Sequence, residues 1–327
     1  MEFLALFLAL LAFLLAVPVP RALSTARFRS RSPWSAMLLW QAIALAGGLS
    51  ILGAPMTYGL APFGESLPEA VAEVIRLMFA EDYTALAERE VHPTHIFALC
   101  FSVVMGGHLL LTLLRTYMRV LASRRRHRDL VRLLSTPVDG SPGADLGRHS
   151  GLGAQLDDAH VIEHDAPLAY CLPGRTYAGS VTVISRGLLD QLSEKELAAV
   201  VAHERTHLHQ RHHLLTMAFD AWYRALPWLP TARHGREAVL ELTEMLADDG
   251  ALQHHSRDDL LRSLALSSPE EESKEAELSR HSSALITGVR LKRLIVPPQP
   301  LGRPAASGIL SAAAALLLVP TGLLLTL

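Results

Sequence analysis

Four stretches of the chain stay apolar over the length a bilayer crossing demands, about 20 residues for a hydrocarbon core of about 30 Å. They fall at 2–19, 36–60, 94–118 and 307–327. The first, EFLALFLALLAFLLAVPV, has its basic residues after the apolar run and not before it, so it is expected to remain as a reverse-oriented anchor and not to act as a secretory signal. Between the third and fourth runs the pattern changes. AHVIEH (159–164) and SVTVIS (180–185) alternate as half-buried strands do, and the Pro-Gly pair of LAYCLPGR (168–175) predicts a turn. From Ser193 the spacing is helical: Ser193 and Glu196 make a Ser-x-x-Glu capping box, and Leu192 can staple onto Leu197. REAVLELTEMLADDGAL (236–252) predicts a second helix with Val239, Leu242 and Leu246 on its apolar face.

The expected fold is therefore a polytopic α-helical membrane protein with four transmembrane helices and an α+β domain set between the third and the fourth. Residues 1–121 would hold three spans, 122–304 the domain with a flexible linker, and 305–327 the last span. Within the domain, SSPEEESKEAELSRHSS (267–283) is charged and poor in apolar residues, so it is expected to be that linker; PPQPLGRP (297–304) would lead into the final span.

Charge orients this arrangement. Arg21, Arg27, Arg29 and Arg31 follow the first run with no acid among them, SRRRHR (123–128) follows the third, and Arg290, Lys292, Arg293 and Arg303 precede the fourth. The 61–93 loop instead carries Glu65, Glu69, Glu73, Glu81, Asp82, Glu88 and Glu90 against Arg76 and Arg89. By the positive-inside rule both termini are expected outside and the domain in the cytoplasm of a multi-pass plasma-membrane protein. Composition agrees: half the residues are hydrophobic, 19% are charged, and the formal net charge is -2, which leaves no basic excess for a nucleic-acid surface. Two cysteines, Cys100 in an apolar run and Cys171 in a polar one, do not make a disulfide framework.

The candidate chemistry lies in VVAHERTHLHQRHH (200–213). On a helix, residues four apart differ by about 40° and about 6 Å, so His203 and His207 share a face and can bind one zinc ion. Glu204, about 100° away from His203, lies beside that ion, where a carboxylate can take a proton from water. His209, His212 and His213 point elsewhere on a continuous helix and are expected to be bystanders, His212 in a packing or surface role. A tetrahedral catalytic site needs a third protein ligand and an open position. Glu244 is the candidate, with Asp248 one turn later placed to accept the second ring N–H of a zinc histidine; Glu241 competes for the ligand role.

HERTH (203–207) followed by EMLAD (244–248) resembles the gluzincin membrane peptidases, which include HtpX-type proteases and the BlaR/MecR-type antirepressor peptidases. The similarity to the second group extends over nearly the whole chain: WQA (40–42), LAYCLPGR, the run SRGLLDQLSEKELAAVVAHERTHLHQRHH and EMLADDGAL, with three spans before the domain and one after. The resemblance implies a cytoplasmic zincin-like metallopeptidase domain. In it His203, His207 and Glu244 hold one Zn2+ per chain, Glu204 is the general base, and a repressor protein or the chain itself is cut. HtpX-type proteases share the motifs but usually place two spans before the site and hydrophobic segments after the HExxH helix. The chain given ends just past its fourth span, and its only lysines, Lys195, Lys274 and Lys292, follow Leu192, Glu271 and Val289 by three positions, so there is no Ser-x-x-Lys pair. No β-lactam binding is expected.

A substrate peptide is expected to lie extended along an exposed edge at Val181–Ser185. His254, His255 or Tyr223 could supply an oxyanion donor, and the sequence does not rank them. Two readings of other classes compete. A non-catalytic signalling protein would keep zinc only for structure, yet such sites are usually closed by four protein ligands. A metal transporter would carry its ligands inside the spans, where His108 is the one histidine set well within.

Overall fold

The computed structural model describes residues 1–80, 91–137, 152, 156, 159–172, 180–266 and 277–326. Glu81, Asp82, Glu88, Arg89 and Glu90 of the 61–93 loop, the Pro173–Gly174 turn and residues 267–276 of the linker lie outside them. In chain order the helices are α1 (Glu2–Ala16), α2 (Pro18–Ser24), α3 (Phe28–Arg31), α4 (Pro33–Leu60), α5 (Leu67–Ala80), α6 (Pro93–Leu134), α7 (Arg186–Gln191), α8 (Glu194–His209), α9 (His212–Ala225), α10 (Pro230–Ala251), α11 (Arg257–Leu266), α12 (Glu277–Ile295) and α13 (Arg303–Thr326). The strands are β1 (Ser135–Pro137), β2 (Ala159–Ile162), β3 (Ala169–Leu172) and β4 (Val181–Ser185).

The chain divides into two compact units. The first comprises Met1–Arg115, Ala218–Ala238 and Pro300–Leu327. Four stretches of helix among the described residues are long and apolar enough to cross a membrane: Glu2–Ser24, Pro33–Phe63, Pro93–Val131 and Arg303–Leu325. Helix α4 is central to this unit. Leu8 of α1 and Leu324 of α13 meet it at Gly53, and Leu15 of α1 packs with Ile43 and Ala46. Gly59 lets α6 approach until a Cβ there would sit 2.8 Å from the His95 carbonyl oxygen, the use of small residues expected where apolar helices pack without a water-driven force. Two buried hydroxyls on these helices bond to backbone: Ser102 donates to the Leu52 carbonyl at 2.9 Å and Thr57 to the Gly53 carbonyl at 2.8 Å.

The second unit, Thr116–Met217 and Val239–Gln299, contains the sheet. Its strand order is β1-β2-β4-β3, with β2 and β4 parallel and the other pairs antiparallel. Leu156, Val161, Ile184, Leu188, Leu192 and Leu197 form one core between sheet and helices, which seats α8 on the sheet through the Leu192 and Leu197 staple. The order corrects one expectation: β4 lies between β2 and β3, and Val183 is fully buried, so Val181–Ser185 has no free edge for a peptide. Alternation of side chains marks a strand but carries no record of its neighbours. Helix α12 also begins inside the expected linker, at Glu277.

Candidate metal centre

Helix α8 starts where its capping box places it: the Glu196 carboxylate accepts from the Ser193 backbone N–H at 2.8 Å and from the Ser193 hydroxyl at 2.7 Å. Three turns on, His203 and His207 bring their Nε2 atoms to 3.1 Å. Helix α10 comes close alongside because Gly250 has no side chain; a Cβ there would collide with Thr206, which is itself folded back onto the Ala202 carbonyl at 2.8 Å. That approach sets Glu244 Oε2 3.5 Å from His203 Nε2 and Oε1 3.4 Å from His207 Nε2. One ligand atom from each of the three residues lies within 4.8 Å of the others. Donors about 2.0–2.1 Å from a tetrahedral ion stand about 3.3 Å apart, so two imidazoles and a carboxylate at these separations fit zinc. Glu241 is not a member of the converging group.

Around this trio the charges are balanced by a residue whose sequence position marks only the basic flank of the last span. Arg290 of α12, nearly buried, places Nη1 2.8 Å from Glu244 Oε2 and forks onto Asp248 with contacts of 2.9 and 2.7 Å. Asp248, 1% exposed, also lies 3.0 Å from His203 Nδ1. Arg293 pairs with Asp249 in the same way. Two arginines three apart on α12 thus face Asp248 and Asp249, a complementarity visible in sequence only once the two helices are known to touch.

The titration behaviour follows from this packing. Burial alone would depress the His203 imidazole, but hydrogen bonding to Asp248 and Glu244 outweighs it and raises its pKa to about 9 in the metal-free chain. Burial would raise the Glu244 carboxyl, yet the hydrogen bond and charge of His203, then Arg290, bring it down to about 2. His207 moves the other way, to about 3, through burial and the neighbouring charge on His203. Glu204 is pushed up, mainly by burial, while its carboxylate accepts a hydrogen bond from the Cys171 backbone N–H of β3. A carboxylate raised toward neutrality and set among these groups suits proton transfer.

His212 is not a bystander. Arg211 adopts a left-handed conformation with φ 51°, which ends α8 and starts α9, so the angular argument for one continuous helix fails there. The break swings His212 inward, where it is 2% exposed and its Nδ1 lies 2.8 Å from His207 Nδ1. Its Nε2 is 2.9 Å from the Gln210 side-chain carbonyl, which can only accept. Burial lowers its pKa to about 4, so near neutrality His212 donates to Gln210, accepts from the His207 Nδ1–H, and leaves the His207 Nε2 lone pair for a metal. The signal for this was the left-handed turn between Gln210 and His212, which sequence periodicity does not report. His209 is exposed, as is His254, and Tyr223 belongs to the first unit, where Arg236 lies 5.3 Å over its ring.

Residues 144–261 match the model of peptidase family M48, a stretch that holds both HERTH and EMLAD and supports a metallopeptidase of that family. Neither a curated protein nor a solved structure gives a significant match.

Proposed function

We propose that the protein is a membrane-anchored zinc metalloendopeptidase of the BlaR/MecR type, which cuts a cytoplasmic protein, a transcriptional repressor or itself, in response to a signal at the membrane. The observation that carries the hydrolytic reading is the convergence of His203, His207 and Glu244 on one point with Glu204 next in sequence to a ligand. Zinc bound there supplies Lewis acidity, which polarises a peptide carbonyl and makes a water molecule acidic. Glu204 takes the proton from the attacking water and passes it to the departing amine, so that one C–N bond is exchanged for C–O and N–H bonds. Asp248 and His212 hold the two imidazoles in the tautomers that offer Nε2. Strand β3, an edge of the sheet among the described residues, has its Cys171 N–H at Glu204 and replaces β4 as the strand a substrate backbone would pair with. Support for the antirepressor type is the order of the apolar helices, three before the site and one after, together with the WQA, LAYCLPGR and EMLADDGAL segments. The basic flanks support an orientation with both termini outside and the peptidase region in the cytoplasm of a plasma-membrane protein.

A second reading, an HtpX-like quality-control protease, is favoured by one observation: Ala218–Ala238, after the HExxH helix, clusters with the apolar spans. Immunoblots of tagged protein in membranes test both readings. Wild type and Glu204→Ala are compared with a co-expressed candidate repressor and with a misfolded membrane protein. Repressor or self cleavage that needs Glu204 supports the first reading, Glu204-dependent loss of the misfolded protein alone the second, and no difference in any arm refutes the peptidase reading.

A further inference from the structure

The turn between α9 and α10 is a feature of the first unit that peptide hydrolysis does not explain. Met1, Ala61 and His95 line one cavity, so the ends of α1, α4 and α6 come together at a common rim. From that rim the depth of any residue along a helix follows from a rise of about 1.5 Å per residue. Leu226, Leu229 and Ala232 pack with Ala16, Ile51, Met105 and Leu109, which are about 15–22 Å below it by that measure. On α6 the uncharged stretch from His95 to Arg115 is about 30 Å long, the thickness of a hydrocarbon core. The turn therefore sits level with the interior of that layer, about 8–15 Å short of Arg115.

Its chemistry fits that depth. The turn, ALPWLPTA from Ala225 to Ala232, carries no charge, and Arg224 and Arg233 stand at its two ends, paired with Asp220 and Glu237. Long cationic side chains at such ends can reach toward headgroups. Backbone needs are met inside the unit. Pro20 has no N–H to give the Ala16 carbonyl, and the buried Thr231 hydroxyl reaches that oxygen at 3.0 Å as well as the Leu15 carbonyl. The Ala225 carbonyl lies 3.2 Å from His108 Nε2. Trp228, in contrast, is 73% exposed at the tip.

We propose that Ala225–Ala232 is a re-entrant tip inserted among the spans, with Trp228 bound to the acyl chains of the bilayer. The inference rests on the proposed membrane placement of the apolar helices. It is tested with the full chain in phosphatidylcholine vesicles whose acyl chains carry bromine, by subtracting the tryptophan emission of Trp228→Phe from that of wild type. The expected difference spectrum is blue-shifted and loses several-fold in intensity in brominated vesicles, with no effect of aqueous acrylamide. A difference component quenched by acrylamide and not by bromine makes the turn an aqueous loop and overturns the proposal. A component quenched by neither means that protein covers Trp228, by a second copy or a partner, and also overturns it. The Trp228→Phe chain retains Trp34, Trp40 and Trp222, of which Trp222 packs with Ile51 and Met105 at the depth of the turn. If bromine leaves that emission untouched too, it is the membrane placement that has failed.

Discussion

The metal pocket and the apolar bundle solve the same problem, polar atoms away from water, in opposite ways. In the pocket the groups satisfy one another: Arg290, Asp248, Glu244, His203, His207 and His212 form one connected set, in which two carboxylates are met by an arginine and imidazoles. In the bundle, buried hydroxyls bond to backbone carbonyls with no charged partner, as Ser102 does to Leu52 and Thr231 to Leu15 and Ala16. The difference teaches that removing one member should propagate in the pocket and stay local in the bundle, because charges buried together depend on every partner while a neutral hydroxyl leaves behind only a carbonyl.

The largest effect should come from Glu204→Gln, which keeps shape and burial but cannot accept a proton: kcat/KM of the zinc-loaded protein should fall by about 10²–10⁴-fold with zinc content unchanged. Loss of zinc as well would show that Glu204 belongs to the connected set and is not only its user. Arg290→Met should cost about 3–5 kcal/mol, since it strands the buried Asp248 carboxylate and the half-buried one of Glu244, and thermal unfolding of the detergent-solubilised chain measures it. A cost below about 1 kcal/mol would break the contrast between the two regions.

The pH dependence of zinc binding sharpens the same point. His203 rises from 6.5 to about 9 in the metal-free chain, so between those values its proton must leave before metal binds. Apparent zinc affinity should climb about tenfold per pH unit across that window and level off above it, as read by chelator competition. A flat profile would mean that Asp248 and Glu244 do not hold the proton.

In the bundle, Thr231→Val should cost about 1–3 kcal/mol, the penalty of an unsatisfied buried carbonyl, without changing zinc stoichiometry. Ser102→Ala should be the mildest, about 0.6 kcal/mol, because the Leu52 carbonyl lies within a helix and the hydroxyl adds only a second bond. Both are read from unfolding in mild detergent. A larger loss for Ser102→Ala than for Thr231→Val would reverse the argument from orphaned carbonyls.

What was legible without coordinates was what repeats along a helix or marks its ends. Apolar run lengths gave the long helices, Ser193 and Glu196 the start of α8, and four-residue spacings the shared faces of His203 with His207 and of Glu244 with Asp248. These are local signals, written within one or two turns. Tertiary structure alone decided the rest. Arg290 reaches Asp248 across 42 residues of chain, and β4 became an interior strand through pairings that alternation cannot encode. One left-handed residue, Arg211, turned His212 from a presumed bystander into the partner of His207. The apolar turn at Ala225–Ala232 is too short to announce itself as a membrane segment, and its place among the helices is fixed by contacts with Ala16, Ile51 and Met105 that lie over a hundred residues away. Sequence sets the period and the caps because those depend on neighbours a turn away; which faces meet depends on packing between distant segments, and only the folded chain determines it.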